Sequence, residues 1–234
     1  MSNADKYIDK YKELEEIVHS TYNIKDEDSI SYYLRNNAKF KNFKDEIKYC
    51  QDVRNLLSHK KKIGNSFPVE PSDNMLEFIE NLIKKIKNRS KCKDIQVKKS
   101  DIFWKSLNGN VMESMEHMKN KMYTHVPILE NDRVIGVFDE NSIFNYLATD
   151  KIIEINEKLT FEDIRKYLSI KDRDMEDFIF FGANRYVEDL EKEFESSFKK
   201  GRRIGITFIT TNGKPTEPLQ GIITPWDIVA NKTI

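Results

Sequence analysis

The most informative segment of the chain reads Gly221-Ile222-Ile223-Thr224-Pro225-Trp226-Asp227-Ile228. A glycine followed by a β-branched run predicts a short buried strand, and Thr224 stands where a helix N-cap would lie, with Asp227 one turn on. The first amides of a helix at such a corner point outward and favour an anion. The threonine hydroxyl can bond a phosphate, and the carboxylate can accept hydrogen bonds from a diol such as a ribose. The alternative is that the two residues only cap the helix.

This segment resembles the closing motif of a cystathionine-β-synthase (CBS) domain. Such domains are small βαββα repeats that come in pairs and often hold adenosine derivatives in the cleft between them. The resemblance implies that Thr224 contacts phosphate and that Asp227 contacts the ribose hydroxyls.

Composition sets the outer limits of the interpretation. With 234 residues, 33% of them charged and 38% hydrophobic, and no net charge, the chain is typical of a soluble protein of one or two domains. No apolar run is long enough to cross a membrane, and the N-terminus lacks the apolar core of a signal peptide. Cys50 and Cys92 share no metal-like spacing with the histidines, so we expect no metal and a cytoplasmic, reducing location.

The first ninety residues predict four amphipathic helices. Their apolar positions recur at three- and four-residue spacing over residues 7–18, 30–34, 40–61 and 75–86. Pro68 and Pro71 exclude helix before the fourth stripe, and Ser72 is a candidate N-cap for it. Because such helices bury their stripes only by packing together, we expect a bundle over residues 1–90.

The third of these helices ends in Arg54-Asn55-Leu56-Leu57-Ser58-His59. Residues five apart are separated by about 140° on a straight helix, so the two side chains converge only if the helix ends near His59. Histidine can move a proton near neutral pH and arginine can hold a phosphodiester, a combination suited to RNA cleavage through the 2′-hydroxyl. The alternative is a polar helix end, with His59 at the negative end of the dipole.

The pattern Arg-Asn-x3-His near the end of a long helix resembles the HEPN superfamily, many of whose members are metal-independent ribonucleases. The resemblance implies that Arg54 and His59 are catalytic and that Asn55 supports them. It also implies a homodimer in which two protomers bring their motifs together, with RNA as a possible partner.

After a polar, basic connection, the chain changes to a mixed pattern of strands and helices. The fold class that we predict is therefore α+β, a HEPN-like four-helix bundle followed by a CBS pair of βαββα repeats. Strands at 124–129 and 133–138 with a following helix define a first repeat over residues 91–150. A strand from Phe178, a helix over 186–198 and a strand over 203–209 precede the segment quoted above, and define a second repeat over residues 151–234. A strand-like start near residue 152 and a helix around 161–168 are expected between them.

The two repeats differ at the corner between the last strand and the last helix. The first repeat has Asp139 where the second has Thr224, and Ser142 where the second has Asp227. A carboxylate repels a phosphate, and serine is too short to replace the ribose-binding Asp. We therefore expect one nucleotide site and one degenerate or empty site.

The resemblance also suggests the rest of the nucleotide site. In CBS sites the base packs near the first strand of the repeat, which here indicates Phe180, Phe181, Gly182 and Ala183. Two further side chains, Arg202 and Arg203, either face phosphates or are ordinary solvated residues at a strand start. The expected ligand is AMP, ADP, ATP or another adenosine derivative.

These observations predict a nucleotide-sensing regulatory homodimer whose CBS pair controls the helical domain. Two alternatives remain open at the level of sequence. One is a metal-independent ribonuclease regulated by the CBS pair, and the other is a dimerisation module with a vestigial ligand site.

Overall fold

The computed structural model describes residues 2–59, 64, 66–150, 157–171, 173 and 176–232. The chain divides into two compact units, residues 1–89 and residues 90–234, which are described separately below. Within the described residues, no helix is both long and apolar enough to span a bilayer.

The first unit is helical. Its helices are α1 (Asn3–Tyr22), α2 (Ile30–Asn36), α3 (Lys44–His59) and α4 (Asp73–Lys87). Ser2 caps α1 and Ser72 caps α4, each by accepting a hydrogen bond from the third residue of its helix. The predicted apolar stripes meet in one core in which Tyr7 and Ile79 are fully buried.

The third helix differs at its start from the sequence expectation. Residues Ala38–Phe43 form a 3₁₀ helix before α3 begins at Lys44, although the apolar stripe runs through both. Asn37 caps this tighter turn through its side chain, which accepts from the amide of Lys39 at 3.0 Å. The described part of α3 ends at His59, and the predicted extension to residue 61 lies outside the described residues.

Each unit contains one buried, unpaired cysteine. Cys50 lies on α3 of the first unit, where its carbonyl oxygen accepts a 2.7 Å hydrogen bond from the hydroxyl of Tyr7. Cys92 opens α5 (Cys92–Ile95) in the second unit and has no exposed surface. Burial raises the pKa of the Cys92 thiol to about 12, so this thiol is protonated at neutral pH.

After α5, the second unit continues with a short edge strand, a helix and a hairpin. After β1 (Val97–Lys98) come α6 (Val111–Lys121), β2 (His125–Glu130), β3 (Arg133–Asp139) and α7 (Glu140–Asp150). The strands β2 and β3 pair antiparallel. Asn131 and Asp132 take positive φ angles of 49° and 64° between them, which is the backbone of the tight turn that suits the twist of a hairpin.

The remaining elements are three strands, which complete a four-stranded sheet with β1, and two helices. They are β4 (Glu176–Gly182), α8 (Val187–Lys199), β5 (Arg203–Thr210), β6 (Gly221–Ile223) and α9 (Pro225–Lys232). The strand order is β1-β6-β5-β4, with β4 and β5 parallel and the other two pairs antiparallel. Because parallel strands need a crossover, α8 carries the chain from β4 back to the start of β5.

Both faces of the sheet are covered by other elements of the second unit. One face packs against α8 and α9, through a cluster that includes Ile209, Leu190 and Ile228. The other packs against the β2–β3 hairpin, through a cluster that includes Phe178, Phe208 and Val137, and we call it the hairpin face.

The segment before β4 is not the helix that the sequence suggested around 161–168. It is a series of turns with a 3₁₀ helix at Arg165–Tyr167. Its first amides bond to a distant part of the chain, since Phe161 donates to the carbonyl of Gly109 at 3.1 Å, whereas later amides make only the short local bonds of a turn, such as that from Tyr167 to the carbonyl of Ile164 at 2.9 Å. The carbonyl of Leu168 accepts from the amide of Val137 at 2.9 Å. The strand-like start expected near residue 152 lies outside the described residues.

Candidate functional site

The corner between β6 and α9 joins the two residues singled out in the sequence. The amide and the hydroxyl of Thr224 both donate to Asp227 Oδ2, each at 2.7 Å. Pro225 opens α9 at the position where a missing amide hydrogen costs least. Both side chains of the pair are half-buried, whereas Trp226 between them is 81% exposed. Helix capping therefore holds the two groups together at the positive end of α9.

The corresponding corner of the hairpin contains the same kind of bond with the partners exchanged. Asp139 Oδ1 accepts from the amide of Ser142 at 2.8 Å and from its hydroxyl at 2.7 Å. The other oxygen of this buried carboxylate accepts from Arg173. Arg173 also donates to the carbonyl oxygens of Val137 at 2.7 Å and Ser169 at 2.8 Å. At this corner, the guanidinium of Arg173 is therefore the partner of the Asp139 carboxylate.

The pairing register of the strands shows which of the other predicted nucleotide-site residues lie at the same end of the sheet as Thr224. Ile223 pairs with Thr207, so Thr224 lies toward the end of the sheet at which β4 and β5 begin. Gly182 pairs with Thr210 at the far end of β5, and the carbonyl of Ala183 accepts from the amide of Lys93 there. Three residues between 207 and 210 span about 10 Å. Gly182 and Ala183 therefore lie toward the other end of β5 from Thr224, and their contact with the base stays a prediction.

The two phenylalanines of β4 lie on opposite faces because side chains alternate along a strand. Phe180 packs on the hairpin face with its ring centroid 5.2 Å from that of Phe208. Phe181 packs on the helical face, and the guanidinium of Arg185 lies 3.9 Å above its ring. Ile222 shares the hairpin face, and alternation along β6 directs Thr224 to the same side. Of the two, Phe180 therefore shares that side with Thr224.

The two arginines at the start of β5 have different surroundings. Arg202 Nε donates to Asp177 Oδ1 at 2.9 Å, and its Nη2 donates to the carbonyl of Arg173 at 2.7 Å. Asp177 also accepts from Ser197 on α8, which puts this cluster on the helical face. Hydrogen bonds from Arg202 hold the pKa of Asp177 below its usual value. Arg202 is thus fixed by internal contacts and does not face the corner.

Arg203 makes a looser contact on the other face. Its Nε lies 3.1 Å from Glu176 Oε1, and its side chain is 71% exposed while that of Glu176 is 7% exposed. Burial opposes ionisation of Glu176, but the hydrogen bond from His125 and the charge of Arg203 hold its pKa below the usual value. Arg203 therefore presents an exposed cation at the end of the sheet where Thr224 lies.

A cluster of potential metal ligands lies beside this pair. Donor atoms of His125, Asp139 and Glu176 all come within 4.8 Å of one another. Each carboxylate already faces an arginine, Arg173 on Asp139 and Arg203 on Glu176. Because the protein's own cations balance the two carboxylates, we do not assign a metal to the cluster.

In the first unit, Arg54 belongs to an internal ion pair. Its Nη2 lies 3.2 Å from Glu15 Oε1, and its guanidinium lies 6.0 Å from the ring centre of Tyr11. Asn55 is exposed beside it. The backbone of His59 ends α3, and its side chain lies outside the described part of the chain.

Arg54 and Asn55 line a cavity of about 780 Å³. Its wall contains the carboxylates Glu15, Glu16, Asp26, Glu27 and Asp28 against the cations Lys12 and Arg54. An acidic wall repels a phosphodiester, so this cavity does not favour the RNA chemistry considered from the sequence.

One segment of the chain matches the model of a known protein family. Residues 93–149 match the family model of the CBS domain. The match runs from α5 into α7 and does not reach the helical unit, for which the HEPN resemblance stays a prediction. A search of curated proteins finds no match.

Solved structures of CBS-domain proteins are similar to the chain. The CBS domain pair of protein MJ0100, in complex with 5′-methylthioadenosine and S-adenosyl-L-methionine, is 18% identical, with 62% of this chain and 97% of that chain covered and a TM-score of 0.43. A hemolysin-like protein of Oenococcus oeni is 15% identical, with 65% and 96% covered and a TM-score of 0.42. CbpB in complex with c-di-AMP is 11% identical, with 66% and 93% covered and a TM-score of 0.49.

Sequence reasoning missed the ion pairs around the CBS domain's last corner. Asp139 was identified only as a residue that repels phosphate, and its partner Arg173 lies in a polar stretch without periodicity. Glu176 was not singled out, although it is buried and bound to His125. An acidic residue directly before an apolar strand, as Glu176 is, is the sequence signal that could have indicated a paired charge.

Proposed function

We propose that this protein is a nucleotide-sensing regulator that binds an adenine nucleotide at the β6–α9 corner. The observation that supports this proposal is the pairing of Thr224 with Asp227 at a helix N-terminus, with Arg203 exposed at the same end of the sheet. A hydroxyl, helix amides and a guanidinium are the groups that bind phosphate, and a carboxylate is the group that binds a ribose diol.

Each residue has a role in this proposal. The hydroxyl of Thr224 and the first amides of α9 bind the phosphate nearest the ribose, and Arg203 binds the outer phosphates. Asp227 accepts from the ribose hydroxyls once Thr224 turns its hydroxyl to phosphate. Phe180, on the same side of the sheet, is the candidate for contact with the base.

We propose that the corresponding corner after the hairpin binds no nucleotide. Asp139 stands where Thr224 stands in the second repeat, and Arg173 is bound to it. We therefore propose one nucleotide per chain, with residues 91–150 and 151–234 as the two CBS repeats and residues 1–90 as the helical domain under control. Such control requires the nucleotide to bind one arrangement of the protein better than another.

The proposal includes a homodimer in the cytoplasm. Phe144 on α7 and Val229 on α9 each lie five residues after their corner residue and are 69% and 57% exposed. Equivalent apolar positions on two helices offer a surface for a second copy. Buried free thiols are compatible with a reducing compartment.

The proposal is tested by titration calorimetry with AMP, ADP and ATP. We expect wild-type protein to bind at least one of them with one site per chain, and Asp227→Asn to lose at least tenfold in affinity, about 1.4 kcal/mol. Asp163→Asn is the matched control, because Thr160 donates to Asp163 through its amide at 2.9 Å and its hydroxyl at 2.7 Å outside any strand–helix corner. Equal affinity in wild type and Asp227→Asn, or no binding at all, would remove the site assignment.

A further inference from the structure

A chain of polar contacts leads from the proposed nucleotide site into the interior of the second unit. Arg203 Nε lies 3.1 Å from Glu176 Oε1, and Glu176 Oε2 lies 2.9 Å from His125 Nε2. The other ring nitrogen, His125 Nδ1, lies 2.7 Å from the hydroxyl of Thr124. A change at Arg203 therefore acts on the imidazole through a single carboxylate.

The two ends of this chain differ in exposure. The side chain of Arg203 is 71% exposed, whereas those of Glu176 and His125 are 7% and 14% exposed. Because Arg203 is mostly in solvent, it can turn from Glu176 to a phosphate that replaces the carboxylate as its anionic partner. Glu176 stays in place because a buried carboxylate needs the partner that His125 provides.

The charges around His125 determine the effect of that movement. Glu176 on β4 faces it directly, and Asp139 on β3 and Arg173 before β4 are paired with each other nearby. The ring of Phe178 packs edge-on against the imidazole at 5.4 Å. The two carboxylates, Glu176 and Asp139, are balanced by the two arginines, Arg203 and Arg173. Withdrawal of Arg203 leaves one negative charge in excess, and a proton on His125 restores the balance.

We propose that nucleotide binding at the β6–α9 corner is coupled to protonation of His125. Arg203 turns from Glu176 to the phosphates, and His125 takes a proton from solvent that Glu176 then stabilises. This inference rests on the proposed function, because the phosphate is the group that draws Arg203 away. Since the bound state holds more protons than the free state, the affinity for nucleotide increases as the pH falls.

The test is calorimetric titration of ATP at pH 7 in two buffers that differ in their enthalpy of ionisation. The difference between the two apparent enthalpies gives the number of protons taken up on binding. We expect wild-type protein to take up a substantial fraction of one proton more than His125→Gln or Arg203→Gln. ATP's own ionisation is common to all samples and cancels in this comparison.

His117→Gln is the matched control. His117 is a half-buried histidine of the same unit, stacked on Phe103 with ring centroids 3.8 Å apart, and it belongs to no part of the chain of contacts. Its replacement should leave the proton uptake at the wild-type value. Between pH 8 and pH 6, the affinity of wild type should increase about threefold to tenfold more than that of His125→Gln.

The outcomes separate this inference from the proposed function. Nucleotide binding with the same proton uptake in wild type and His125→Gln overturns the coupling and leaves the nucleotide site intact. Binding by Arg203→Gln with wild-type uptake also overturns the coupling, because Arg203 would not carry it. No heat with any nucleotide overturns both. A circular dichroism melt of each variant confirms that it is folded before titration.

Discussion

Glu176 is a buried carboxylate whose position depends on a neighbouring glycine. Gly205 on β5 faces it at the irregular step of the β4–β5 register, and a Cβ there would lie 2.5 Å from Glu176 Oε1. No side chain fits at this distance unless the carboxylate moves. The contacts of Glu176 with His125 and Arg203 thus require a residue without a side chain at position 205.

We expect Gly205→Ala to destabilise the protein by about 1–3 kcal/mol, because the new methyl group displaces Glu176 from its partners. Urea unfolding measures the change. In a Glu176→Ala background the same substitution should cost less, since the clashing carboxylate is gone. An equal cost in both backgrounds would show that the clash with Glu176 is not the cause.

Glu217 makes the stability of the fold depend on pH through its hydrogen bonds. Hydrogen bonds from the amide and the side chain of Asn212 lower its pKa from 4.5 to about 2. Because the folded pKa lies below the unfolded one, this carboxylate stabilises the fold above pH 4.5, and the contribution is lost as the pH falls toward 2.

Thermal melts between pH 5 and pH 2 test this assignment. We expect the melting temperature of wild type to fall more steeply over this window than that of Glu217→Gln, which has no carboxyl group to protonate. Other carboxylates titrate in both proteins, so only the difference between the curves reports Glu217. Parallel curves would contradict the assignment.

At the scale of elements, the two strand–helix corners contain the same hydrogen bond with exchanged partners. Thr224 donates to Asp227 in one, and Ser142 donates to Asp139 in the other. The carboxylate is buried at 3% exposure in the second case, which is why it needs Arg173. Exchanging the partners turns the corner that we propose to bind an anion into one that binds a cation of the chain itself.

We expect Arg173→Met to cost about 3–5 kcal/mol, because it leaves the Asp139 carboxylate buried without its cation. Arg203→Met should cost less, because that side chain is mostly exposed and Glu176 keeps its contact with His125. Urea unfolding of both variants gives the comparison. Adding Asp139→Asn to Arg173→Met should recover much of the loss, and no recovery would contradict a charge-based cost.

The elements were largely predictable from sequence, and their mutual placement was not. The β2–β3 hairpin and α8 follow from local periodicity and turn residues, and they form near the expected positions. The displacement of Gly182 and Ala183 from Thr224 depends on the register between distant strands, which no local pattern encodes. The expected helix at 161–168 gives way to turns and a 3₁₀ helix for a similar reason, since the amides of Phe161 and Glu162 bond to the distant carbonyls of Gly109 and Leu107.

At the scale of the whole molecule, the proposed homodimer gives a direct prediction. We expect Phe144→Glu to convert a dimer into a monomer, because a charge on an apolar contact must be desolvated without a partner. Size-exclusion chromatography with light scattering measures the mass. Phe198→Glu is the control, since Phe198 is 80% exposed on α8 and lies on neither α7 nor α9. A wild-type protein that elutes as a monomer would contradict the dimer.

The distribution of the cysteines gives each unit a chemical reporter of its own opening. Cys50 is buried in the helical unit and Cys92 in the unit that contains the CBS domain, so a thiol reagent reaches each one only when its surroundings open. Mass spectrometry of the trapped protein then yields two opening free energies from one sample. A nucleotide that slows trapping of Cys50 as well as Cys92 would reveal that its binding energy is felt in both units, before any regulated output is known.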